Sequence, residues 1–304
     1  MRLLLLSLLL SACAQAAVFP LPPKDSALLG QLVSYKVEKG DYFEAIARDR
    51  DLSPLNLIEA NPGIDPLLPS PGLLLTLPTA MLLPDAPRQG IVINLAELRL
   101  YYFDTANKRV FVFPVGIGRI GLDSPLGQTA VVSKQKDPVW TPTKGTHERL
   151  AEQGQSIPDK VPAGPDNPLG KYALRLGFKG GQYLIHGTNL DVGVGMRVSA
   201  GCIRLMPDNI EELFQMVPVG TPVRIVNQPV KTALEPDGTL YLEVHQPLTR
   251  GGSAPDLLQL SQSQQKWLSA NFADEDRVRQ ALLAKSGLPL AVGQKQQGAS
   301  VQAP

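Results

Sequence analysis

The decisive stretch of the sequence covers residues 183–204 and reads YLIHGTNLDVGVGMRVSAGCIR. It begins as a short apolar strand that ends at His186, where Gly187 starts a turn. A second short strand passes through positions 196–198, and Cys202 follows it closely. The interval from His186 to Cys202 is long enough for one strand to leave and another to return, so it predicts two strand ends lying side by side.

Cys202 and His186 form a candidate pair of nucleophile and base. A thiol with its ordinary pKa of about 8.5 is mostly neutral at pH 7, so a catalytic cysteine needs a neighbouring base or positive charge. His186 can supply that help, and the amides of Gly201 and Cys202 could donate to a developing oxyanion. The alternative is a buried, inert cysteine beside a structural histidine. One cysteine and one histidine give too few ligands for a zinc site.

The N-terminal segment predicts export. One basic residue, a short run of leucines and an A-x-A cleavage site indicate a signal peptide at residues 1–16. The only other cysteine, Cys13, would leave with it, and a single remaining cysteine in an oxidising compartment is either an intermolecular link or a reactive thiol. Residues 10–13 also read as a lipoprotein cleavage box that would leave Cys13 lipidated. A soluble form and a lipid-anchored form therefore both stay open.

Composition narrows the class of protein. Lys and Arg number 29 against 28 Asp and Glu, so the charge balance gives no support for nucleic acid as a partner. The 28 prolines and 27 glycines are spread between apolar runs, which favours many short strands over long helices. One amphipathic helix is predicted over residues 208–217, capped at Asp208. The main domain, residues 89–227, is therefore expected to be mainly β, a β-sandwich or barrel-like fold with one main helix.

Other regions have their own patterns. Residues 34–79 read as strand, helix, helix and strand, which predicts a small α/β unit. Residues 140–167 lack periodicity and are expected to be an irregular loop. Residues 228–304 form a C-terminal extension with a hairpin at 236–238 and a helix near 275–285. The extension is expected to be partly disordered, above all in a tail at 290–304.

The small α/β unit resembles a LysM module. Such modules have an early Gly-Asp, an Ile-Ala on the first helix and an Asn after the second helix, matched here by Gly40-Asp41, Ile46-Ala47 and Asn61. The usual Thr-Leu after Gly-Asp is replaced by Tyr42-Phe43. The resemblance implies binding to the N-acetylglucosamine-containing glycan of cell walls. A small α/β spacer is the alternative.

The stretch that holds His186 and Cys202 resembles the signature of the L,D-transpeptidase (YkuD-type) catalytic domain, and the similarity covers about residues 89–227. The segments 186–189 and 197–205 carry it. The resemblance implies that Cys202 attacks a tetrapeptide stem of peptidoglycan, that D-Ala leaves, and that the diaminopimelate acyl group passes from a thioester to an amine. His186 would be the base.

The same resemblance implies the supporting residues and the partners. The carbonyl of Gly187 would orient the histidine ring, and Ser199, Asn189 and Arg204 are the expected substrate-binding residues, with bracing of the loop as the alternative for Arg204. No metal or cofactor is implied. The expected partners are stem peptides and glycan, in the periplasm. The favoured acyl acceptor is a lysine of an outer-membrane lipoprotein, and diaminopimelate is the other.

One residue departs from the family pattern. Many members have His where this chain has Ala200. Since the family assigns the base role to the histidine that is present here as His186, activity is expected. A stem-peptide L,D-carboxypeptidase and a catalytically silent peptidoglycan-binding protein are the alternatives.

Overall fold

The computed structural model describes residues 16–190, 192–248 and 258–295, so the predicted signal peptide and Cys13 lie outside the described residues except for Ala16. Its strands are β1 (Ala17–Pro20), β2 (Leu28–Leu29), β3 (Val33–Lys36), β4 (Leu74–Leu77), β5 (Met81–Leu82), β6 (Gly90–Asn94), β7 (Arg99–Asp104), β8 (Arg109–Pro114), β9 (Ile117–Gly118), β10 (Gly127–Lys136), β11 (Tyr172–Leu176), β12 (Leu184–His186), β13 (Arg197–Ser199), β14 (Ile203–Arg204), β15 (Pro222–Val226), β16 (Val230–Leu234), β17 (Thr239–Val244) and β18 (Pro289–Gln294). Its helices are α1 (Phe43–Asp49), α2 (Pro54–Ala60), α3 (Lys144–Glu152), α4 (Pro207–Met216), α5 (Gln262–Ala270) and α6 (Glu275–Ala284). Within these residues, no helix has the length and apolar character needed to cross a membrane.

A sheet of nine strands forms the centre of the main domain, in the order β1-β8-β7-β6-β15-β10-β11-β12-β14. Alternate side chains of β6 enter two cores, Ile91 and Ile93 on one face and Val92 on the other, because successive side chains of a strand point to opposite faces. Helix α4 covers the first face with Ile210 and Leu213. The prediction of a mainly β domain is confirmed.

The main helix starts slightly earlier than predicted. Met206, not Asp208, is the N-cap of α4, and Pro207 takes the first helical turn. Proline suits that position because its missing N–H would have no partner there and its φ is already helical.

The prediction of an irregular loop at 140–167 is wrong for Lys144–Glu152, which form helix α3. No side chain of α3 is buried, so the helix lacks the apolar periodicity that would have marked it. The ends of this segment are joined by a backbone bridge between Trp140 and Val161. The buried amide of Asn167 also donates to the carbonyls of Pro138, Val161 and Pro162.

The first region has the predicted order of strand, helix, helix and strand. β3 and β4 pair antiparallel, and α1 and α2 pack on them through Phe43, Ile46 and Leu57. The side chain of Ser53 accepts a hydrogen bond from the N–H of Asn56 and so caps α2. We call residues 33–77 the N-terminal module. Its identity as a LysM module stays a prediction.

The C-terminal extension is more ordered than predicted. β16, β17 and β18 form an antiparallel sheet, and α5 and α6 pack around its core of Leu240, Leu242 and Val292. The expectation of a disordered tail at 290–304 is wrong for the part that belongs to strand β18, since its backbone hydrogen bonds come from pairing with β17 and not from local sequence. Residues 296–304 lie outside the described part of the chain.

A buried ionic cluster joins the module, the main domain and the extension. The Lys231 ammonium lies 2.8 Å from Glu97 Oε2 and 2.9 Å from Glu243 Oε1. His245 contacts Glu243 at 2.8 Å and Glu59 of the module at 3.0 Å. The ligand atoms of Glu97, Glu243 and His245 lie within 4.8 Å of one another, as in a metal site. Lys231 already bridges the two carboxylates. The negative charges of Glu97 and Glu243 are therefore balanced by cationic side chains, and these residues do not fit a metal site well.

Candidate active site

The parallel pairing of β12 and β14 brings the two candidate residues to one edge of the sheet. Ile185 pairs with Ile203 and His186 pairs with Arg204. Cys202 directly precedes β14, so it lies level with Leu184, two positions before the partner of His186. Paired residues of parallel strands share a face, so His186 and Arg204 face the same side. Cys202 lies in the bend just before β14, and we expect its thiol to reach that side.

The spacing between His186 and Cys202 follows from strand geometry. Adjacent strands lie about 4.8 Å apart and two residues along a strand span about 6.6 Å, so the backbone diagonal is about 8 Å. An imidazole and a thiol that extend toward each other can close that gap. The strand predicted at 196–198 corresponds to β13, which pairs with β9 and not with β12. The strand that lies beside β12 is β14, which follows Cys202 and was not predicted.

The ring of His186 is buried, with 4% of the residue exposed. Its Nδ1 lies 2.6 Å from the carbonyl oxygen of Gly187. A carbonyl can only accept, so Nδ1 is the donor and a neutral ring presents Nε2 as an acceptor. Burial and the positive charge of Arg204 lower the pKa of His186 to about 4, although the hydrogen bond to Gly187 acts in the opposite direction.

The Cys202 thiol is the one free cysteine in the described part of the chain and is half-buried. Burial raises its pKa above the ordinary value, while a hydrogen bond with the backbone of Leu184 and the charges of Arg175 and Arg204 oppose that rise. The raised pKa of the thiol and the lowered pKa of the imidazole both favour the uncharged forms. Such a pair can form a thiolate when the proton moves to Nε2 during attack.

The loop before Cys202 is shaped by Ser199 and Gly201. The Ser199 hydroxyl donates to the carbonyl of Cys202 at 2.5 Å and accepts from the N–H of Gly201 at 3.1 Å. Gly201 has a φ of +107°, and a Cβ there would lie 2.9 Å from the ring of Tyr183, so glycine is required. The N–H of Gly201 donates to Ser199 in this structure, and its expected role at an oxyanion stays a prediction. The N–H of Cys202 stays the candidate donor.

Arg204 pairs with His186, and Asn189 lies in the turn after β12. The Nε of Arg204 is buried and has no hydrogen-bond partner among the described residues. Burial lowers the pKa of this guanidinium. Asn189 is exposed, and its amide donates to the carbonyl of Pro165 at 2.8 Å, which ties the turn after β12 to the long segment 140–167. The predicted substrate contacts of Ser199, Asn189 and Arg204 stay predictions.

Arg175 is a site residue that sequence reasoning missed. It lies on β11 and pairs with Leu184 of β12, which is level with Cys202. Arg175, Leu184 and Cys202 therefore lie in one row across the sheet. Its guanidinium donates to the carbonyl of Gly181 at 2.5 Å and its charge favours the thiolate of Cys202. The alternation of Leu174, Arg175 and Leu176 marks a side chain that faces away from the core, but only the strand order connects it to the thiol.

Comparison with known proteins matches the main domain and the C-terminal extension to two domains of one family. Residues 88–225 match the L,D-transpeptidase catalytic domain and residues 229–292 match the L,D-transpeptidase C-terminal domain. The chain is 46% identical to "Probable L,D-transpeptidase YcfS" of Escherichia coli (strain K12), over 93% of this chain and 90% of the relative. It is 44% identical to "Probable L,D-transpeptidase ErfK/SrfK" of the same strain, over 91% of each chain. The Salmonella typhimurium protein of that name is 43% identical, over 94% of each chain.

Proposed function

The chain belongs to the L,D-transpeptidase family and is a cysteine-dependent acyltransferase, and from that premise we propose that Cys202 is its nucleophile and His186 its general base. The observation that supports the proposal is the parallel pairing of β12 with β14, which brings the residue before β14 next to the strand that ends at His186. The hydrogen bond from Nδ1 to Gly187 supports the role of His186, because it leaves Nε2 as a proton acceptor.

In the first half-reaction, Cys202 attacks the carbonyl of the third residue of a tetrapeptide stem, the L-centre of diaminopimelate. The thiol proton moves to Nε2 of His186, and a bond forms between Sγ and the carbonyl carbon. The carbon–nitrogen bond to D-Ala then breaks, and His186 returns the proton to the leaving amine. The N–H of Cys202 is the proposed donor to the oxyanion.

In the second half-reaction, an amine opens the thioester. Its nitrogen forms the new amide bond, its proton passes to His186, and the sulfur leaves and recovers that proton. We favour a lysine of an outer-membrane lipoprotein as this acceptor, with diaminopimelate as the other candidate. Arg204 is the proposed partner of a substrate carboxylate, Asn189 borders the substrate, and Ser199 contributes by shaping the loop.

The flanking regions fit work on the cell wall. We propose that residues 1–16 direct export to the periplasm and that the N-terminal module binds peptidoglycan glycan as a LysM module. Its two helices packed on a two-stranded sheet support that assignment.

The test is incubation of the purified protein with tetrapeptide muropeptides, with and without a lysine-terminated acceptor peptide, and with Cys202→Ser as the control. Transpeptidation predicts release of D-Ala together with cross-linked or peptide-linked products in wild type only. Trimming to tripeptides without any transfer product would instead identify an L,D-carboxypeptidase, with water as the acceptor.

A catalytically silent binder is distinguished by acylation. Imipenem should add one covalent adduct, localised to Cys202 by peptide mass spectrometry. A protein that binds sacculi but acquires no adduct would contradict the enzyme assignment. Muropeptide profiling of a deletion strain then separates the acceptors, because loss of lipoprotein-linked fragments and loss of 3→3 dimers are scored independently.

A further inference from the structure

The N-terminal module is bonded directly to the loop that precedes the cysteine. Ser53, at the start of α2, donates its hydroxyl hydrogen to the carbonyl oxygen of Gly195 at 2.9 Å, and Ser53 is only 3% exposed. Gly195 has a φ of +70°, and a Cβ on it would lie 2.6 Å from Cα of Ser53 and 2.6 Å from Cδ of Pro54. The module and the loop are therefore in close backbone contact, which only glycine permits.

A second contact holds the chain after the cysteine. Asn209, on the first turn of α4, donates to a carboxylate oxygen of Asp51 at 2.6 Å. Gly195 lies seven residues before Cys202, and Asn209 lies seven residues after it. The module thus bonds the chain on both sides of the thiol.

The opposite side of the loop before the cysteine is held by β9. β13 pairs with β9, and the N–H of Ile117 donates to the carbonyl of Met196. Ser199 then closes the turn onto Cys202. The segment 195–199 is therefore held between β9 and the module, and loss of the Ser53 contact removes the hydrogen bond on its module side.

We propose that Ser53 is a positioning residue for Cys202. Through Ser53, the N-terminal module holds the segment 195–199 in place and so positions the cysteine that follows it. The inference rests on the proposed role of Cys202. It assigns to the module a part in the reaction itself, in addition to any binding of the cell wall. Ser53 does not touch the reacting atoms, so it acts only through the carbonyl of Gly195 and the loop that follows.

The test compares four variants of the full-length mature protein with wild type. Ser53→Ala and Ser53→Gly both remove the hydroxyl, but glycine is a tolerated helix cap, so Ser53→Gly keeps most of the stability of α2. Ser53→Thr keeps the hydroxyl and serves as the rescue variant. Asn61→Ala is the matched control, because it removes buried hydrogen bonds to Leu57 and Thr76 within the module and leaves the loop contact intact.

The measurement is the second-order rate constant for acylation of Cys202 by imipenem, followed by intact mass at a temperature where thermal melting shows every variant folded. Loss of a buried hydrogen bond that aligns the nucleophile should slow acylation by about tenfold in Ser53→Ala and Ser53→Gly. With a stem-peptide substrate, kcat should fall while KM stays within about twofold. Ser53→Thr and Asn61→Ala should acylate at nearly the wild-type rate.

Wild-type acylation rates in both Ser53→Ala and Ser53→Gly would overturn the inference. An equal slowing in Asn61→Ala would also overturn it, because module stability alone would then explain the effect. Failure of wild type itself to form an adduct at Cys202 is a different result, which contradicts the proposed function.

Discussion

His186 and Arg204 are register partners across the parallel strands β12 and β14. The guanidinium consequently acts on both members of the candidate pair. It lowers the pKa of the imidazole, because it opposes a second positive charge, and it opposes the rise in the pKa of the Cys202 thiol, because it favours a thiolate. One cation thus favours the thiolate of Cys202 and, together with burial, the neutral ring of His186, the proposed nucleophile and base.

Replacement of Arg204 should shift the reactivity of the thiol to higher pH. In Arg204→Gln the charge is lost, so alkylation of Cys202 by iodoacetamide at pH 7.5 should slow by up to about tenfold, which corresponds to about one pKa unit. Arg204→Lys retains the charge and should keep more of the alkylation rate, although it loses the planar donor geometry of the guanidinium. An alkylation profile of Arg204→Gln that overlays wild type from pH 6 to pH 10 would contradict the electrostatic role.

The pH dependence of acylation should lack the usual histidine inflection. Only the neutral imidazole can take a proton, so activity is lost as pH falls through the folded pKa of about 4. An ordinary histidine with a pKa of about 6.5 would instead lose about eightfold in neutral ring between pH 7 and pH 5.5. We therefore expect imipenem acylation rates at pH 5.5 and pH 7 to agree within about twofold, after correction for hydrolysis of the free drug. A clear inflection near pH 6.5 would show that the imidazole that takes the proton has an ordinary pKa, which would contradict the lowered pKa of His186.

Removal of the base should be far more damaging than removal of a histidine elsewhere. We expect His186→Ala to lower the acylation rate by roughly 10²- to 10⁴-fold, the usual range for a general base. His147→Ala is the matched control, since His147 lies on α3 and is 32% exposed with only a 3.7 Å contact to Asp159. Its rate should stay within about twofold of wild type. Comparable losses in both variants would point to a base outside β12.

The histidine that many family members have at position 200 should be dispensable in this chain. Ala200 is exposed, so Ala200→His adds a side chain that faces solvent and should change the free energy of unfolding by no more than about 0.5 kcal/mol. Because the bond from Nδ1 of His186 to Gly187 leaves Nε2 free to accept a proton, the acylation rate should also stay within about threefold. A gain of a hundredfold would mean that the wild-type thiol lacks its normal activation, and would favour the silent binder.

Sequence reasoning reached the candidate site because its residues lie close together in the chain. The strand ending at His186, the glycine turns and Cys202 all fall within the stretch 183–204, and local pattern predicts their return to one edge. Arg175 and the Ser53 contact depend on pairing between distant segments, for which no local pattern exists. The same reason explains why strand β1 was not predicted, since its partner β8 is far away in the sequence.

The ionic cluster predicts a loss of stability at alkaline pH that is separate from catalysis. Burial alone would lower the pKa of His245, but its hydrogen bonds to Glu243 and Glu59 raise it to about 9. A pKa raised on folding contributes stability that is complete below the unfolded value of about 6.5 and is lost as pH rises through about 9. The full contribution is about 3 kcal/mol, since each pKa unit corresponds to about 1.36 kcal/mol.

We expect the melting temperature of wild type to fall by several degrees between pH 6.5 and pH 9.5. His245→Gln, which cannot titrate, should start lower and fall less over the same range. If the melting temperatures of the two proteins fell in parallel across this range, His245 would not be the titrating group. His186 cannot account for the alkaline loss, because its pKa is lowered and its stability contribution is lost as pH falls.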